Sequence, residues 1–458
     1  MKKNIVIVLW LFFTCTSLFS QSWVELGSLN VTGAISCIAS DNNGNIYAAG
    51  SFSDGNKKFY VAKWNGTSWS ELGTGSNALN ADSLISAIAV DNIGNVYAAG
   101  NFTDANGKHY VAMWNGTTWS ELGTGSNALN PNGDIYTIAT DNLGNVYAAG
   151  EFTNGINSNV GYTYVAKWNG TNWTPLGTGS NALNTKDNIW TLLTDNSGNV
   201  FTAGAFTDVT GHSYVAKWNG TNWTELGTGA NALNANNTIW SIAQDNSGNI
   251  YAAGSFTDLN NYQYVAKWNG TNWTELGTGT KALAQQSIIY TIAVDNSNNV
   301  YAGGQISDNG GYYCIAKWDG TNWTELGTGS NALNATNYLL SIIIDSSGFI
   351  YAAGYFTDKN NYNYVAKWSQ ATATSTINQI KGIDLTVYPN PGTGIITFSN
   401  LTEDTQLNIY NILGELISSK NLSANTSNTN LSNLGTGVYT LVFNGQNNMY
   451  TPIKWVKE

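Results

Sequence analysis

One motif recurs seven times along the chain and constrains the fold more than any other feature. The motif is DNxGN, followed by Val or Ile and then YAAG or a close variant, and it runs in phase with a second motif, YVAKWNGTxWxELG. Successive copies are spaced by 50, 50, 54, 50, 50 and 50 residues. Their first residues are Asp41, Asp91, Asp141, Asp195, Asp245, Asp295 and Asp345. Such a period indicates an architecture in which each repeat is one supersecondary unit.

Each repeat contains four short runs with strand character, rich in Val, Ile, Tyr and Trp. Turn residues separate the runs. The Gly of DNxGN supplies a left-handed backbone position, where the sixth repeat has Asn298, the next-best residue for that conformation. Asn65 and Gly66 in the second motif predict a type I′ hairpin turn, in which both residues have positive φ. Four antiparallel strands at this period describe one blade of a β-propeller.

The two ends of the repeat array decide how the propeller closes. Residues 23–27, WVELG, match the fourth strand of every other repeat, whereas the last repeat ends after its third strand at Trp368. Seven complete blades form if residues 23–27 pair beside residues 364–368, which removes the two exposed edges of an open array. Pro175 then lies on an outermost strand, where a missing amide hydrogen is tolerated. The sequence predicts an all-β fold with a seven-bladed β-propeller closed by the N-terminal strand.

The repeat resembles the propeller-forming repeats of many secreted bacterial proteins, with NVYAAGxF and AKWNGTxWxxLG as the shared parts. That fold hosts many functions, so the function must be argued from a site. The chain has 18 Lys, no Arg and 29 acidic residues, for a net charge of −11. We therefore expect no nucleic-acid partner. A sialidase-type propeller is also excluded, because it needs an Arg cluster for the substrate carboxylate.

The remaining segments predict an exported protein. Residues 1–20 have the basic start, short apolar core and cleavage region of a signal peptide, and no later run could cross a membrane. We expect no membrane span in the mature chain. Residues 21–368 are assigned to the propeller, and residues 369–382, rich in Ser, Thr and Ala, to a linker. Residues 383–458 form a further domain, in which three alternating segments predict a small C-terminal β-sandwich.

This last domain resembles the type A C-terminal sorting domain of type IX secretion. The motif residues that carry the resemblance are Tyr388, Pro389, Asn390, Pro391, Ile409, Tyr410, Gly414, Leu434, Gly437, Val438, Tyr439, Lys454 and Lys457. The resemblance implies passage through the Sec system, folding in the periplasm, and export by the type IX secretion machinery as a partner. It also implies an extracellular protein or one attached to the outer-membrane surface. The alternative is an ordinary C-terminal β-sandwich without a sorting role.

Comparison of the repeats predicts that the two ends of the propeller differ. The turns after the first and third strands lie at one end and are short and nearly uniform. The connections at the other end are longer and share no pattern. The only length change between repeats, four extra residues between Phe152 and Tyr164, is also there. Repeat proteins concentrate insertions on one face, which is often the binding face, so this loop-bearing end is the candidate binding face.

A variable position early in each innermost strand carries the candidate ligand-binding residues. Four successive repeats have an aromatic residue there: Tyr136, Trp190, Trp240 and Tyr290. A crescent of rings near a central channel could stack against the apolar C–H faces of sugars. We favour the alternative that the rings fill the core between blades, because the sequence does not fix their sheet face. The repeated Trp pairs, such as Trp64 with Trp69, are expected to pack across strands.

The sequence predicts no catalytic residue, metal ligand or cofactor. Each DNxGN motif offers one carboxylate flanked by Asn, whereas calcium needs six to eight oxygens, so turn capping is favoured over metal binding. His109 and His212 are the only histidines and lie in different repeats, which excludes a site of clustered histidines. Cys37 and Cys314 are expected to be isolated thiols. A glycosidase that uses two loop carboxylates stays open.

Together these features predict a secreted or cell-surface recognition or adhesion module without enzymatic activity, whose propeller binds a glycan or a surface protein. One alternative is a structural matrix or adhesin component with no discrete site for a small ligand. Another, from a different class, is a glycan-active enzyme that uses loop carboxylates. The resemblance and the repeats leave the identity of the ligand open.

Overall fold

A computed structural model describes residues 21–154, 161–278, 283–285, 287–370, 385–398, 401, 403–411, 416–424, 426, 428–445, 450 and 453–458. The predicted signal peptide, residues 1–20, lies outside the described residues, as do residues 371–382 of the predicted linker. The chain forms two compact units, residues 1–372 and residues 373–458.

The first unit consists of seven four-stranded antiparallel sheets. In each sheet the strands lie side by side in the order first, second, third and fourth. The first strands are Ile35–Ser40, Ile85–Val90, Ile135–Thr140, Ile189–Thr194, Ile239–Gln244, Ile289–Val294 and Leu339–Ile344. The second strands are Ile46–Gly50, Val96–Gly100, Val146–Gly150, Val200–Gly204, Ile250–Gly254, Val300–Gly304 and Ile350–Gly354. The third strands are Ala62–Trp64, Ala112–Trp114, Ala166–Trp168, Ala216–Trp218, Ala266–Trp268, Ala316–Trp318 and Ala366–Gln370. The fourth strands are Trp69–Glu71, Trp119–Glu121, Trp173–Pro175, Trp223–Glu225, Trp273–Glu275, Trp323–Glu325 and, for the seventh blade, Gln21–Glu25.

The connections at the loop-bearing end are held in place by short backbone pairings. In the fifth blade, Tyr262–Gln263 pairs with Ala284–Gln285 of the connection that leads to the next blade. Single bridges, such as that between Phe59 and Ala81, do the same in other blades. One-turn 3-10 helices also lie in these connections, at Gly75–Asn77, Gly125–Asn127, Gly179–Asn181, Gly229–Asn231 and Gly329–Asn331. The described parts of the long connections are therefore tied to one another by backbone hydrogen bonds.

The core of the propeller lies between neighbouring blades. All five residues of every second strand are buried, because each sheet is covered by a neighbour on both faces. In one cluster, Tyr47 and Ala49 of the first blade pack with Ile85, Val96 and Ala98 of the second. The small Ala residues of the YAAG motif let the sheets approach closely at the position where the blades converge.

The turn after each innermost strand is held by the Asp of DNxGN. One oxygen of the Asp41 carboxylate accepts the backbone N–H of Asn45 at 2.9 Å. The other accepts the Asn45 side-chain amide at 2.6 Å and the Tyr47 hydroxyl at 3.1 Å. Gly44 in this turn has φ 79°, and Asn298 at the same position of the sixth blade has φ 63°. The left-handed position predicted for the turn is thereby confirmed.

The predicted type I′ turn at Asn65 and Gly66 is wrong. Gly66 has φ 97°, but Asn65 is not among the residues with positive φ. The strand pair ends at Trp64 opposite Trp69, so four residues make the turn instead of two. The Asn65 side-chain oxygen accepts the backbone N–H groups of the two residues that follow Gly66, both at 3.0 Å. Asn serves here as a side-chain cap and not as a residue with a left-handed backbone.

The N-terminal strand closes the ring, as predicted. Gln21–Glu25 pairs with Ala366–Gln370, with Trp23 opposite Trp368. The closure is also visible in a circular set of equivalent hydrogen bonds, in which a fourth-strand Trp indole N–H donates to a Leu carbonyl of the preceding blade at 2.5–2.8 Å. The pairs are Trp23 to Leu326, Trp69 to Leu26, Trp119 to Leu72, Trp173 to Leu122, Trp223 to Leu176, Trp273 to Leu226 and Trp323 to Leu276. The junction between the chain ends therefore has the same contacts as the other six.

The second unit is a small sandwich of two antiparallel sheets. One sheet contains Val387–Tyr388, Ile395–Phe398 and Asn428–Asn430. The other has the spatial order Leu416–Leu422, Thr405–Tyr410, Gly437–Gly445 and Ile453–Lys457. The two sheets share one apolar core that includes Ile396, Leu407, Leu441 and Trp455, all fully buried. The predicted C-terminal β-sandwich is confirmed.

Candidate functional site

The candidate ligand-binding position lies at a local irregularity of each innermost strand. In every blade the pairing between the first and second strands shifts register across this residue, for example between Ile135 and Thr137. A β-bulge of this kind re-aims a side chain, and bulges are common beside functional sites. The strand begins at the loop-bearing end, so the seven residues encircle the mouth of the central channel at that end. All seven are half-buried.

The four aromatic side chains at this position contact one another across four successive blades. The Tyr136 and Trp190 rings are stacked, with centroids 4.3 Å apart and an interplanar angle of 13°. Trp190 and Trp240 follow at 4.7 Å, and Trp240 and Tyr290 at 5.9 Å. None of the four belongs to the apolar clusters between blades. The sequence favoured core packing, whereas the structure brings the rings together as one aromatic arc.

The arc extends beyond the predicted residues into the seventh blade. The Tyr290 ring lies 6.0 Å from that of Tyr338, and Tyr338 in turn contacts Tyr313 at 5.6 Å and Tyr355 at 5.7 Å. Sequence comparison missed these three tyrosines because they come from three different connections and occupy no common position in the repeat. Within the described residues, the aromatic arc therefore runs from Tyr136 to Tyr355.

Three of the four rings pair their polar group with the residue that follows the second strand, fifteen positions later. The Tyr136 hydroxyl donates to a Glu151 carboxylate oxygen at 2.7 Å, and the Trp240 indole N–H donates to the Ser255 hydroxyl at 2.8 Å. Gln305 donates its side-chain amide to the Tyr290 hydroxyl at 3.3 Å. These contacts fix the ring orientations and place hydrogen-bonding groups along the apolar surface. Both features are typical of ligand-binding sites in general.

An acidic group borders the arc at its Tyr136 end. Asp134 accepts a hydrogen bond from the Asn101 side-chain amide and lies 3.5 Å from the His109 Nε2 atom. Burial raises the pKa of Asp134, and the charge of Glu151 raises it further, while His109 and Asn101 act in the opposite direction. The His109 Nδ1 atom is buried without a hydrogen-bond partner among the described residues. Sequence reasoning treated His109 in isolation, and the fold brings it to the Asp134 carboxylate, in the connection that leads to the next blade.

The other predicted features have structural roles. The paired Trp rings lie opposite each other on adjacent strands, with centroids 5.5–5.9 Å apart. Cys37 and Cys314 are free thiols. His212 lies in a different blade from His109 and contacts the Thr210 hydroxyl at 2.8 Å. The described residues contain no group of three or more His, Cys, Asp or Glu side chains arranged to hold a metal ion.

Most sorting-motif residues hold the C-terminal sandwich together. The Asn390 side chain donates to the Lys454 carbonyl at 2.6 Å and accepts the Val456 N–H at 2.9 Å. The Pro389 carbonyl accepts the Trp455 indole N–H at 3.0 Å. This clamp ties the Tyr-Pro-Asn-Pro segment to the last strand of the chain.

The remaining motif residues divide into buried and exposed groups. Lys457 is buried and donates to the Ser432 carbonyl at 2.7 Å, and the Tyr439 hydroxyl donates to a backbone carbonyl two residues before Gly437 at 3.0 Å. Tyr388 and Lys454 are exposed, as is Pro391. Gly414 lies outside the described residues. The exposed residues are therefore the part of the motif that is available to a partner.

Comparison with known proteins identifies the second unit. Residues 386–458 match the family of secretion system C-terminal sorting domains. No curated protein matches the chain. The described residues contain no helix that is both long enough and apolar enough to span a membrane.

The fold is similar to that of two solved bacterial structures. One is PorZ of Porphyromonas gingivalis, an essential bacterial surface component of its type-IX secretion system. It matches with a TM-score of 0.50 and 14% identity, over 93% of this chain and 59% of that one. The other, the extracellular domain of BT4673 from B. thetaiotaomicron, matches with a TM-score of 0.50 and 14% identity, over 92% of this chain and 51% of that one. The chain spans less than two thirds of either structure, and at this identity the likeness shows the fold alone.

These findings agree with the repeats and with the motif residues of the last domain. The seven sheets and the N-terminal closing strand define the architecture of the first unit. The family match covers the whole of the sandwich. The chain is thus a seven-bladed β-propeller protein that carries the C-terminal sorting domain of type IX secretion, which implies a secreted protein or one at the outer-membrane surface.

Proposed function

We propose that this protein is a non-enzymatic recognition module outside the cell, and that its propeller binds glycan chains along the aromatic arc. The observation that carries the proposal is the contact between Tyr136, Trp190, Trp240 and Tyr290 across four blades. A soluble domain gains most from aromatic rings when they are fully buried, yet these rings are only half-buried at an open mouth. A ligand that covers them would complete their burial.

The chemistry of the arc fits a chain of sugar rings. Ring faces and edges that remain exposed can pack against the apolar C–H faces of sugars. The carboxylate of Glu151, the hydroxyl of Ser255 and the amide of Gln305 lie on the polar side of the rings and can exchange hydrogen bonds with sugar hydroxyls. An arc of rings in a row favours an extended oligosaccharide over a single sugar. The sorting domain supports this proposal, because it implies a location where such ligands occur.

A glycan-active enzyme is the second candidate, favoured by one observation. Asp134 and Glu151 are loop carboxylates that meet at the end of the arc, and the pKa of Asp134 is raised. A carboxyl group with a raised pKa beside a second carboxylate is the arrangement that glycoside hydrolysis requires. We favour binding because Glu151 already accepts a hydrogen bond from Tyr136, and His109 and Asn101 already engage Asp134. An adhesin or matrix component without a discrete site would have no use for an ordered arc.

A glycan array with the mature chain tests the proposal. Trp190→Ala and Trp240→Ala should each lower the affinity for the bound glycan at least tenfold, which corresponds to about 1.4 kcal/mol or more. Tyr312→Ala is the matched control, since this exposed ring lies outside the arc, and it should leave binding unchanged. Absence of binding, or binding that ignores both Trp substitutions, would remove the proposal. Cleavage of a glycan that is lost in Glu151→Gln would establish the enzyme instead.

A further inference from the structure

Similar cavities recur in several blades at the loop-bearing end, on the outer rim of the propeller. One of them has a volume of about 500 Å³ and lies in the fifth blade, between Asp258, Tyr264, Trp273 and Glu275, with Leu233 from the connection that precedes the blade. Smaller cavities of about 250, 180 and 140 Å³ are lined by the equivalent residues of the fourth, sixth and seventh blades. We call these four cavities the rim clefts. They are separate from the aromatic arc, which lies at the inner mouth.

Each rim cleft contains a glutamate from the fourth strand that has no partner. These residues are Glu225, Glu275, Glu325 and Glu25. Within the described part of the chain, none of the four side chains makes a hydrogen bond or an ion pair. In the widest cleft, the Glu275 Oε1 atom is buried and still unpartnered. A buried carboxylate oxygen without a donor costs free energy, so its presence in the fifth-blade cleft calls for a reason other than folding.

A second carboxylate faces each of these glutamates. In the fifth blade it belongs to Asp258, whose charge adds to burial in raising the pKa of Glu275. Burial, together with the charges of the same two carboxylates, raises the pKa of Tyr264 to about 12. The Glu275, Asp258 and Tyr264 side chains line one cleft beside an indole ring, and no cation is among its described lining residues. The equivalent Asp residues are Asp208, Asp308 and Asp358.

The third blade shows that the negative charge is not needed for the fold. There Asn154 replaces the Asp and Pro175 replaces the Glu, so both carboxylates are absent from the same blade. The Asn154 side chain still caps its loop, because its oxygen accepts the Tyr162 N–H at 2.9 Å, as Asp258 accepts the Tyr262 N–H at 2.9 Å. Capping thus requires only the side-chain oxygen. The charge of the Asp therefore accompanies the Glu, which lies 17 positions later in blades such as the fifth, and is not required by the loop structure.

We propose that the rim clefts bind primary ammonium groups, with the Glu and Asp carboxylates as counter-charges. The Trp ring is one wall of each cleft, and a Tyr ring is another except in the sixth blade, where Cys314 takes its place. An ammonium ion offers three hydrogen-bond donors and one positive charge. It can donate a hydrogen bond to the unpartnered Glu275 Oε1 atom, and its charge offsets the repulsion between the two carboxylates. A neutral hydroxyl group could donate a hydrogen bond but would leave that repulsion in place. Aromatic walls also favour a cation. This site is independent of the glycan proposed for the arc.

An ammonium group could come from a lysine side chain of another protein or from an amino sugar, and calorimetry on the mature chain separates these sources. The first probe pair is Nα-acetyl-lysine methylamide against the uncharged norleucine analogue. The second is glucosamine against N-acetylglucosamine. We expect the amine of at least one pair to bind and its uncharged analogue to bind at least tenfold more weakly. Binding of N-acetylglucosamine as tightly as glucosamine, or no binding by either amine, would overturn the proposal.

A charge-matched pair of variants tests whether the rim clefts are the sites. Four substitutions to Gln, at Glu25, Glu225, Glu275 and Glu325, should lower amine affinity at least tenfold. The control removes the same charge from exposed positions outside the clefts, with Asp187→Asn, Asp319→Asn, Asp404→Asn and Glu458→Gln, and should bind as the parent does. Equal loss in both variants would mean diffuse counter-ion attraction and would sink the assignment. If the fourfold variant does not fold, Glu275→Gln alone should lower the measured stoichiometry by one site.

Discussion

The two ends of the propeller use the same chemical group in opposite ways. At the end with short turns, Asp245 is buried and each of its oxygens accepts two hydrogen bonds, from donors that include Asn249 and Tyr251. At the loop-bearing end, Glu275 is half-buried, has no hydrogen-bond partner in the described chain, and faces another acid. Both residues belong to the fifth blade. One carboxylate contributes to folding, and the other is left available for a ligand.

The pKa shifts follow this division. Burial opposes ionisation of Asp245, but hydrogen bonds from Asn249, Tyr251 and Ser247 outweigh it and hold the pKa below the ordinary value. Burial raises the pKa of Glu275, and the charge of Asp258 adds to the effect. The same contrast separates the turn and fourth-strand carboxylates of the first and sixth blades. A charge that is solvated by the protein indicates a structural role, and one that is desolvated without compensation indicates a site.

The largest effect should come from removing a turn carboxylate. We expect Asp245→Ala to lower the free energy of unfolding by about 3 kcal/mol, because four hydrogen bonds are lost and the buried Tyr251 hydroxyl loses its acceptor. Asp245→Asn should have a stability between those of the parent and of Asp245→Ala. Its side-chain oxygen can still accept backbone N–H groups, but its amide N–H groups face the donors of Asn249 and Tyr251. Denaturant unfolding at neutral pH gives both values. If Asp245→Ala lowers the free energy of unfolding by less than about 0.5 kcal/mol, the turn carboxylate is not structural and the proposed difference between the two ends is wrong.

The repeats allowed the turn end to be predicted almost in full. A motif that recurs at a fixed period fixes strand order, closure and the left-handed turn position, because each follows from local residue chemistry. The type I′ assignment at Asn65 failed because loop length, and not the Asn-Gly pair alone, selects the turn.

The loop-bearing end was predictable only in part. Tyr136, Trp190, Trp240 and Tyr290 could be named from sequence, but their mutual contacts depend on a bulge and on the distance between blades. The pairing of His109 with Asp134 joins two connections that share no motif. Contacts of this kind are set by the three-dimensional fold and leave no periodic signal.

The comparison also predicts an unusual pH dependence of stability. Six fourth-strand glutamates have raised pKa values, so their ionised forms destabilise the folded protein at neutral pH. This destabilisation disappears as the pH falls through those pKa values and the glutamates become protonated. Turn aspartates with lowered pKa values, such as Asp41 and Asp141, stabilise the fold above their ordinary pKa, and this contribution is lost as the pH falls further. Stability should therefore peak near the ordinary carboxyl pKa values of 3.8 and 4.5.

Thermal unfolding from pH 8 to pH 2 would reveal the peak. The rise on the neutral side should flatten when the four rim-cleft glutamates are changed to Gln, whereas the fall on the acid side should stay. A profile that declines steadily from pH 7 would show that the turn aspartates alone control stability, and that the glutamates are not destabilised by their surroundings.

The smallest effect should come from Glu275→Gln, and its sign is informative. Gln has the same shape as Glu but no charge, so it ends the repulsion from Asp258 and adds two donors that the Asp258 and Tyr264 oxygens can accept. We expect the free energy of unfolding to change by less than about 0.5 kcal/mol, or to rise slightly, as for a residue outside the structural networks. The same Glu-to-Gln change at Glu151 provides the matched control. There the hydrogen bond from Tyr136 to a charged carboxylate becomes a weaker one to an amide oxygen, so the protein should lose stability. If Glu275→Gln costs as much as Asp245→Asn, the glutamate is structural, and the two ends of the propeller do not differ in the way proposed.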